Sequence, residues 1–191
     1  MSLPRRLVAA TKNPDKLREV RAVLAEVAPG VELVDGLDWP EVEETGATLQ
    51  ENALLKARAV AAATGLPAVA DDTGLEVAAL GGDPGVHTAR FAGLGATYAA
   101  NRRALLDALA GVADRRARFR TVVALVSPDG AEALVEGVLE GRISTGERGS
   151  GGFGYDPIFE VEGRTLAEMG EKEKNSISHR ARALAALAGQ G

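Results

Sequence analysis

Hydrophobic and polar positions divide the first half of the chain into short apolar runs and longer stripes with helical spacing. Arg6 to Ala10 (RLVAA) predicts a strand, and Asn13-Pro14 then supplies an N-cap and a first helical position. Leu17, Val20, Leu24 and Val27 continue as a helical stripe that ends near Pro29-Gly30. Val31 to Leu37 predicts a second strand. Thr48-Leu-Gln-Glu51 matches a capping box, opening a helix that runs to Thr64 and stops at Gly65. Leu66 to Ala70 reads as a buried strand that stops abruptly at two adjacent acids, Asp71 and Asp72.

Beyond that point the pattern is more varied. Leu75 to Leu80 fits a strand or a helical turn, and Gly81 to Gly85 is a turn cluster. Thr97 to Leu109 predicts a helix with Ala100, Leu105 and Leu109 among its inward positions. Ala117 to Val126 and Ala131 to Ile143 form a long hairpin about Ser127-Pro-Asp-Gly130, expected to be a structural arm or second lobe. A glycine-rich loop, Gly146 to Gly154, precedes a short strand at Ile158 to Val161 and a helical turn at Thr165 to Met169. Lys172 to Ser178 then leads to a last helix, Ser178 to Ala188. Strands alternating with helices place the chain in the α/β class.

Composition narrows the possibilities. A chain of 191 residues is one domain, or two closely packed lobes, and buries most of its apolar surface. No run approaches the ~18 apolar residues of a membrane span, and no signal-peptide pattern is present, so a cytoplasmic location is expected. The absence of cysteine excludes a disulfide framework, a thiol nucleophile and a thiolate metal site. A net charge of −5 argues against a nonspecific nucleic-acid surface. The five lysines, Lys12, Lys16, Lys56, Lys172 and Lys174, all fall in segments with turn or capping signals, which suggests an anion site.

Candidate chemistry gathers at the same places. Asp71 and Asp72 stand at the end of a strand, where open α/β sheets bind ligands. Because neighbours on an extended chain point to opposite faces, at most one of them aims into a given pocket. The helix start at Thr11-Lys-Asn-Pro-Asp-Lys16 offers unpaired N–H groups and a partial positive charge, suited to phosphate. Lys56 shares an otherwise apolar helix face with Leu49, Ala53 and Val60; it either snorkels to solvent or emerges opposite Asp72. Phe153 and Tyr155 sit in a glycine-rich setting in a chain with 4% aromatic residues, as a stacking platform or as loop anchors. His179 and Arg180 occupy the first turn of the last helix, where cations oppose the macrodipole and need a compensating acceptor, such as a carboxylate or a ligand.

Six of these segments together resemble the inosine/xanthosine triphosphate pyrophosphatase (Ham1-like) family. They are Ala10-Thr-Lys-Asn-Pro-Asp-Lys16, Glu43-Glu-Thr-Gly46, Glu51-Asn-Ala53 with Lys56, Ala70-Asp-Asp-Thr-Gly-Leu75, Gly151-Gly-Phe-Gly-Tyr-Asp-Pro157 and Lys174-Asn-Ser-Ile-Ser-His-Arg180. The resemblance spans nearly the whole chain. It implies magnesium-dependent hydrolysis of ITP, dITP and XTP to monophosphate and pyrophosphate. It also implies a single pyrophosphatase domain over 1–191, built on an elongated mixed sheet flanked by helices, with two lobes, a cleft between them, and a homodimer. On this resemblance Thr11, Asn13 and Lys16 hold the triphosphate with help from Lys56. Glu44 and Asp72 bind Mg2+, and Asp72 is also the general base. Thr73 touches the nucleotide, Phe153 stacks on the base beside Gly154 and Tyr155, and Asp156 and Lys174 help to recognise the nucleotide. His179 and Arg180 read the six-keto oxygen.

Elementary chemistry agrees with such a scheme. Carboxylate oxygens suit magnesium rather than zinc, and a triphosphate demands local cations on an acidic protein. Two rivals differ. A Maf-like pyrophosphatase would open with a Ser-Pro-Arg-rich motif instead of Thr-Lys-Asn-Pro-Asp-Lys, and a regulatory nucleotide-binding module would leave the carboxylate pair without a purpose.

Overall fold

The computed structural model describes residues 3–189. Strand β1 (Arg6–Ala9) leads into helix α1 (Pro14–Val27). The Asn13 side chain accepts from the Asp15 and Lys16 amides, satisfying donors that the first turn otherwise leaves open. Strand β2 keeps regular pairing only over Glu32–Leu33, shorter than the expected 31–37. Val34 still donates to the Leu7 carbonyl, but the chain turns away at Gly36, whose φ of +74° breaks extension. Helix α2 (Leu49–Thr64) has the full capping box between Thr48 and Glu51 and ends at left-handed Gly65.

Strand β3 (Ala68–Val77) corrects the expectation of a stop at Asp71, because it runs on through both acids. Its distal end pairs antiparallel with β4 (Pro84–Gly85), and Lys16, Lys56 and Arg180 neutralise Asp71 and Asp72 within it. A 3-10 turn over Ala78–Leu80 completes the ambiguous segment, which is therefore strand first and turn afterwards. Helix α3 (Tyr98–Ala108) follows a Thr97 cap. Leu105 and Leu109 face inward as expected, but Ala100 is exposed. Asn101 takes the buried place, accepting from the Ala92 amide and donating to the Ala89 carbonyl.

Strands β5 (Arg116–Val126) and β6 (Glu132–Ile143) form the hairpin. Strands β7 (Phe159–Val161) and β8 (Arg164–Thr165) turn through Glu162 and Gly163, both at positive φ as a type I′ turn requires. Helix α4 (Glu171–Ile177) is unanticipated: its seven residues carry no apolar stripe by which to read it. Helix α5 (His179–Ala188) is capped by Ser178.

The strands hydrogen-bond in the order β2-β1-β3-β5-β6-β7-β8, with β4 beside β3. Pairing is parallel for β1 with β2 and β3, and antiparallel for β3–β4, β6–β7 and β7–β8, so the sheet is mixed. The chain divides into two units. The first comprises Met1–Asp72, Thr121–Gly137 and Ser178–Gly191; the second comprises Thr73–Arg120 and Val138–Ile177. The first unit buries Leu7, Val23, Leu24, Val123, Leu125, Leu184 and Leu187 in one cluster. The second is centred on Leu75, Leu105, Phe119, Ile158, Phe159 and Leu166. The hairpin is thus no separate arm, since its tip belongs to the first core and its base to the second.

Candidate active site

In the first unit, helix α2 buries the face carrying Leu49, Ala53, Lys56 and Val60. Lys56 does not snorkel to solvent. Its ammonium donates to Glu44 Oε1 at 2.6 Å, to the Asp71 carbonyl at 2.8 Å and to Asp72 Oδ1 at 3.3 Å. Carboxylates from the segment before α2 (Glu44) and from β3 (Asp72) therefore converge on one cation. Asn52 reinforces the arrangement, donating to Asp72 Oδ2 at 3.2 Å and accepting from the Gly46 amide at 2.8 Å. A Cβ at Gly46 would lie 2.6 Å from the Glu51 Cβ, so the loop comes this close only as glycine.

The electrostatics of this group follow from burial and charge together. Burial raises the Asp72 carboxyl above its ordinary value; Lys56 opposes that shift and nearby Glu44 adds to it. Burial alone would lower the Lys56 ammonium, but Asp72, Asp71 and Glu44 together hold it above its usual range. A protonated lysine therefore faces a carboxylate that is a stronger base than usual.

Asp71 serves the opposite face of β3, as strand alternation requires. Its Oδ2 meets Lys16 Nζ at 3.2 Å and Arg180 Nη2 at 3.0 Å. Arg180, itself buried, also pairs with Glu19 of α1. Burial would raise the Asp71 carboxyl, but Arg180, Lys16 and Lys56 overcome it and hold the group far below the carboxylate range. The acceptor demanded by cations in the first turn of α5 is thus a pair of carboxylates, Asp71 and Glu19. Sequence reasoning missed Glu19 and Asn52; the only signal for Glu19 is an acid beside the apolar stripe of α1, next to Val20.

The remaining expected residues of this unit lie near these elements. Thr11 Oγ1 accepts from the Asn13 amide at 3.2 Å, and the Asn13 oxygen serves the helix cap. His179 is buried, with Nδ1 at 2.5 Å from Thr121 Oγ1. A small cavity lined by Thr11, Asp71, Val123 and Arg180 among others lies at the end of β1.

The second unit holds Thr73, half-buried in β3, and the aromatic loop. Asp156 Oδ2 accepts from the Phe153 amide at 2.8 Å and from Lys174 Nζ at 2.6 Å. The Lys174 ammonium stands 4.7 Å from the Phe153 ring centroid, within cation–π range. A Cβ at Gly152 would run into the Asp156 carboxylate, and Gly154 has a φ of +60°. The two aromatic residues separate in role. Phe153 is half-buried, whereas Tyr155 is packed in the core and donates to the Thr88 carbonyl at 2.9 Å, so it anchors the loop. Burial pushes the Tyr155 hydroxyl well above its ordinary value.

Fold and side chains together define a mixed α/β protein with paired acids and lysines clustered about a sheet strand. The family model described as the Ham1 family matches residues 7–190, and the chain belongs to the Ham1 family. It is 57% identical over 186 residues to a dITP/XTP pyrophosphatase of Symbiobacterium thermophilum, covering 95% of this chain and 92% of that one. A dITP/XTP pyrophosphatase of Streptomyces coelicolor is 50% identical over 189 residues, with 95% and 94% covered. Among solved structures, a HAM1 protein from Coxiella burnetii superposes with a TM-score of 0.86 at 43% identity over 97% of both chains. The Ham1 protein of Staphylococcus aureus gives 0.83 at 37% identity, again over 97% of both.

Proposed function

We propose that this chain hydrolyses non-standard purine nucleoside triphosphates, ITP, dITP and XTP, to the monophosphate and pyrophosphate, clearing them from the nucleotide pool. The observation that carries the reading is the convergence of Glu44 and Asp72 on the Lys56 ammonium. Relatives at 50% and 57% identity bear the name dITP/XTP pyrophosphatase, which supports the same substrates here.

Glu44 and Asp72 suit magnesium in donor chemistry. Among the described residues no group of three or more acids or histidines is placed to hold a metal. Magnesium is commonly held by one or two carboxylates and completed by water and substrate phosphates. When bound, Mg2+ would neutralise the phosphate oxygens. The protein's own groups do the rest. Lys16 and Thr11, at the start of α1, hold phosphate, and Lys56 adds charge. Asp72, its basicity raised by burial, accepts the proton of the water that attacks the α-phosphorus, and pyrophosphate leaves.

Phe153 stacks on the base, while Asp156 and Lys174 hold its polar edge. His179 and Arg180 supply donors to the six-keto oxygen, which adenine replaces with a donor amine. A site built on such bonds rejects the mismatched analogue by ~10⁴-fold. The enzyme acts in the cytoplasm as a homodimer on free nucleotides. Pyrophosphate release from ITP, dITP, XTP, ATP and GTP, with and without magnesium, tests the reading. The first three are expected to turn over only with the metal and ATP to lag far behind. Equal release from ATP and ITP would refute it.

A further inference from the structure

The loop from Gly146 to Gly154 includes glycines at 146, 149, 151, 152 and 154, a composition that leaves the free chain many conformations. Something must hold Phe153 in place within it. Helix α3 supplies two such contacts from residues one turn apart, which therefore share a helix face. Arg102 donates through Nη1 to the Gly154 carbonyl at 2.9 Å. Its Nη2 donates to Glu147 Oε2 at 3.1 Å, and its Nε lies 2.9 Å from Oε1, an ion pair with one hydrogen bond. One guanidinium thus ties both flanks of the loop, residues 147 and 154, to the helix. The Arg102 side chain is only 15% exposed but Glu147 is 45% exposed, so the bond to the Gly154 carbonyl is the better shielded of the two contacts. Tyr98 meets Phe153 directly: the ring centroids are 6.1 Å apart and the planes are inclined by 45°. That separation lies within the preferred range for aromatic pairs, and at this tilt the two rings meet without stacking face to face.

We propose that Tyr98 and Arg102 are positioning residues of the nucleotide site: they pre-organise the Phe153 loop from helix α3 and so set affinity for the purine base, without contributing to phosphate binding. This inference rests on the reading of Phe153 as the base-stacking residue. Pre-organisation raises affinity by removing the ordering cost at binding. Its loss falls on KM for substrates that carry a base. A ligand made of phosphate alone is unaffected.

The test compares wild type with Tyr98→Ala, Tyr98→Phe and Arg102→Ala. For each, KM and kcat are measured with ITP, together with the inhibition constant of inorganic tripolyphosphate. Amide hydrogen exchange is followed over 146–156. Tyr98→Ala and Arg102→Ala are expected to raise KM for ITP by about threefold to tenfold, the scale of one aromatic contact. Their kcat and tripolyphosphate inhibition stay at wild-type values, exchange at Phe153 accelerates, and Tyr98→Phe, which keeps the ring, behaves as wild type. Should Arg102→Ala fail to fold, Tyr98→Ala decides, because Tyr98 is a surface residue at 41% exposure. An unchanged KM for ITP, or a parallel rise in the tripolyphosphate constant, overturns the inference while wild-type turnover of ITP leaves the proposed function standing. Wild-type protein inert toward ITP overturns both.

Discussion

Two adjacent acids of β3 have opposite electrostatic fates. Asp71 is neutralised by Arg180 and Lys16 and held far below its ordinary pKa of 3.8, whereas burial lifts its neighbour Asp72. On the proposed function the first is a structural anion and the second the base. Replacing Asp71 with asparagine strands Arg180 on Glu19 and leaves a buried charge under-compensated, a loss of about 3–5 kcal/mol. Because the folded pKa of Asp71 lies below the unfolded one, its contribution is complete above the unfolded value and disappears as pH falls through the folded value. Urea midpoints measured against pH are therefore expected to fall below about pH 4 in wild type, with a shallower acid limb in Asp71→Asn. Asp72→Asn removes the proposed proton acceptor instead. It is expected to lower turnover of ITP by at least ~10²-fold, read from initial rates, with the fold intact.

At the level of elements, β6 and α5 meet so closely that only glycine fits between them. A Cβ at Gly137 would collide with the His179 carbonyl oxygen and approach the Ala183 amide at 2.5 Å. Both obstacles are backbone, so the helix itself has to move. Gly137→Ala is expected to cost about 1–3 kcal/mol in chemical denaturation and to raise KM for ITP by displacing His179 and Arg180. Unchanged stability would contradict this packing. The same distinction between local and distant causes decides what is legible in the sequence. The starts of α1 and α2 can be read from Asn13-Pro14 and Thr48-Glu51 because each cap acts within one turn. Lys56 is conspicuous as a lysine on an apolar face, and its partners complete the picture. The continuation of β3 past Asp71 is not legible, because it depends on cations contributed from positions 16, 56 and 180. Glu19, Arg102 and helix α4 escape for the same reason: each has meaning only through residues far away in the chain, and α4 lacks an apolar stripe.

Across the whole molecule, three long strands, β3, β5 and β6, pass through both units, and each unit has its own apolar cluster. The hairpin reads from sequence as a separate arm because its alternation is local, whereas its sharing between two cores is not. The carboxylates proposed for magnesium already rest on Lys56. A chelator is therefore expected to abolish ITP turnover while leaving the melting temperature unchanged; a large drop in melting temperature would mean that the ion is structural. The central claim, that Asp72 activates water against the α-phosphorus, has one direct measurement. ITP is hydrolysed in 18O-enriched water and the products are resolved by mass spectrometry. The account predicts one 18O atom in the nucleoside monophosphate and none in the pyrophosphate; label in pyrophosphate, or release of orthophosphate instead, would contradict it.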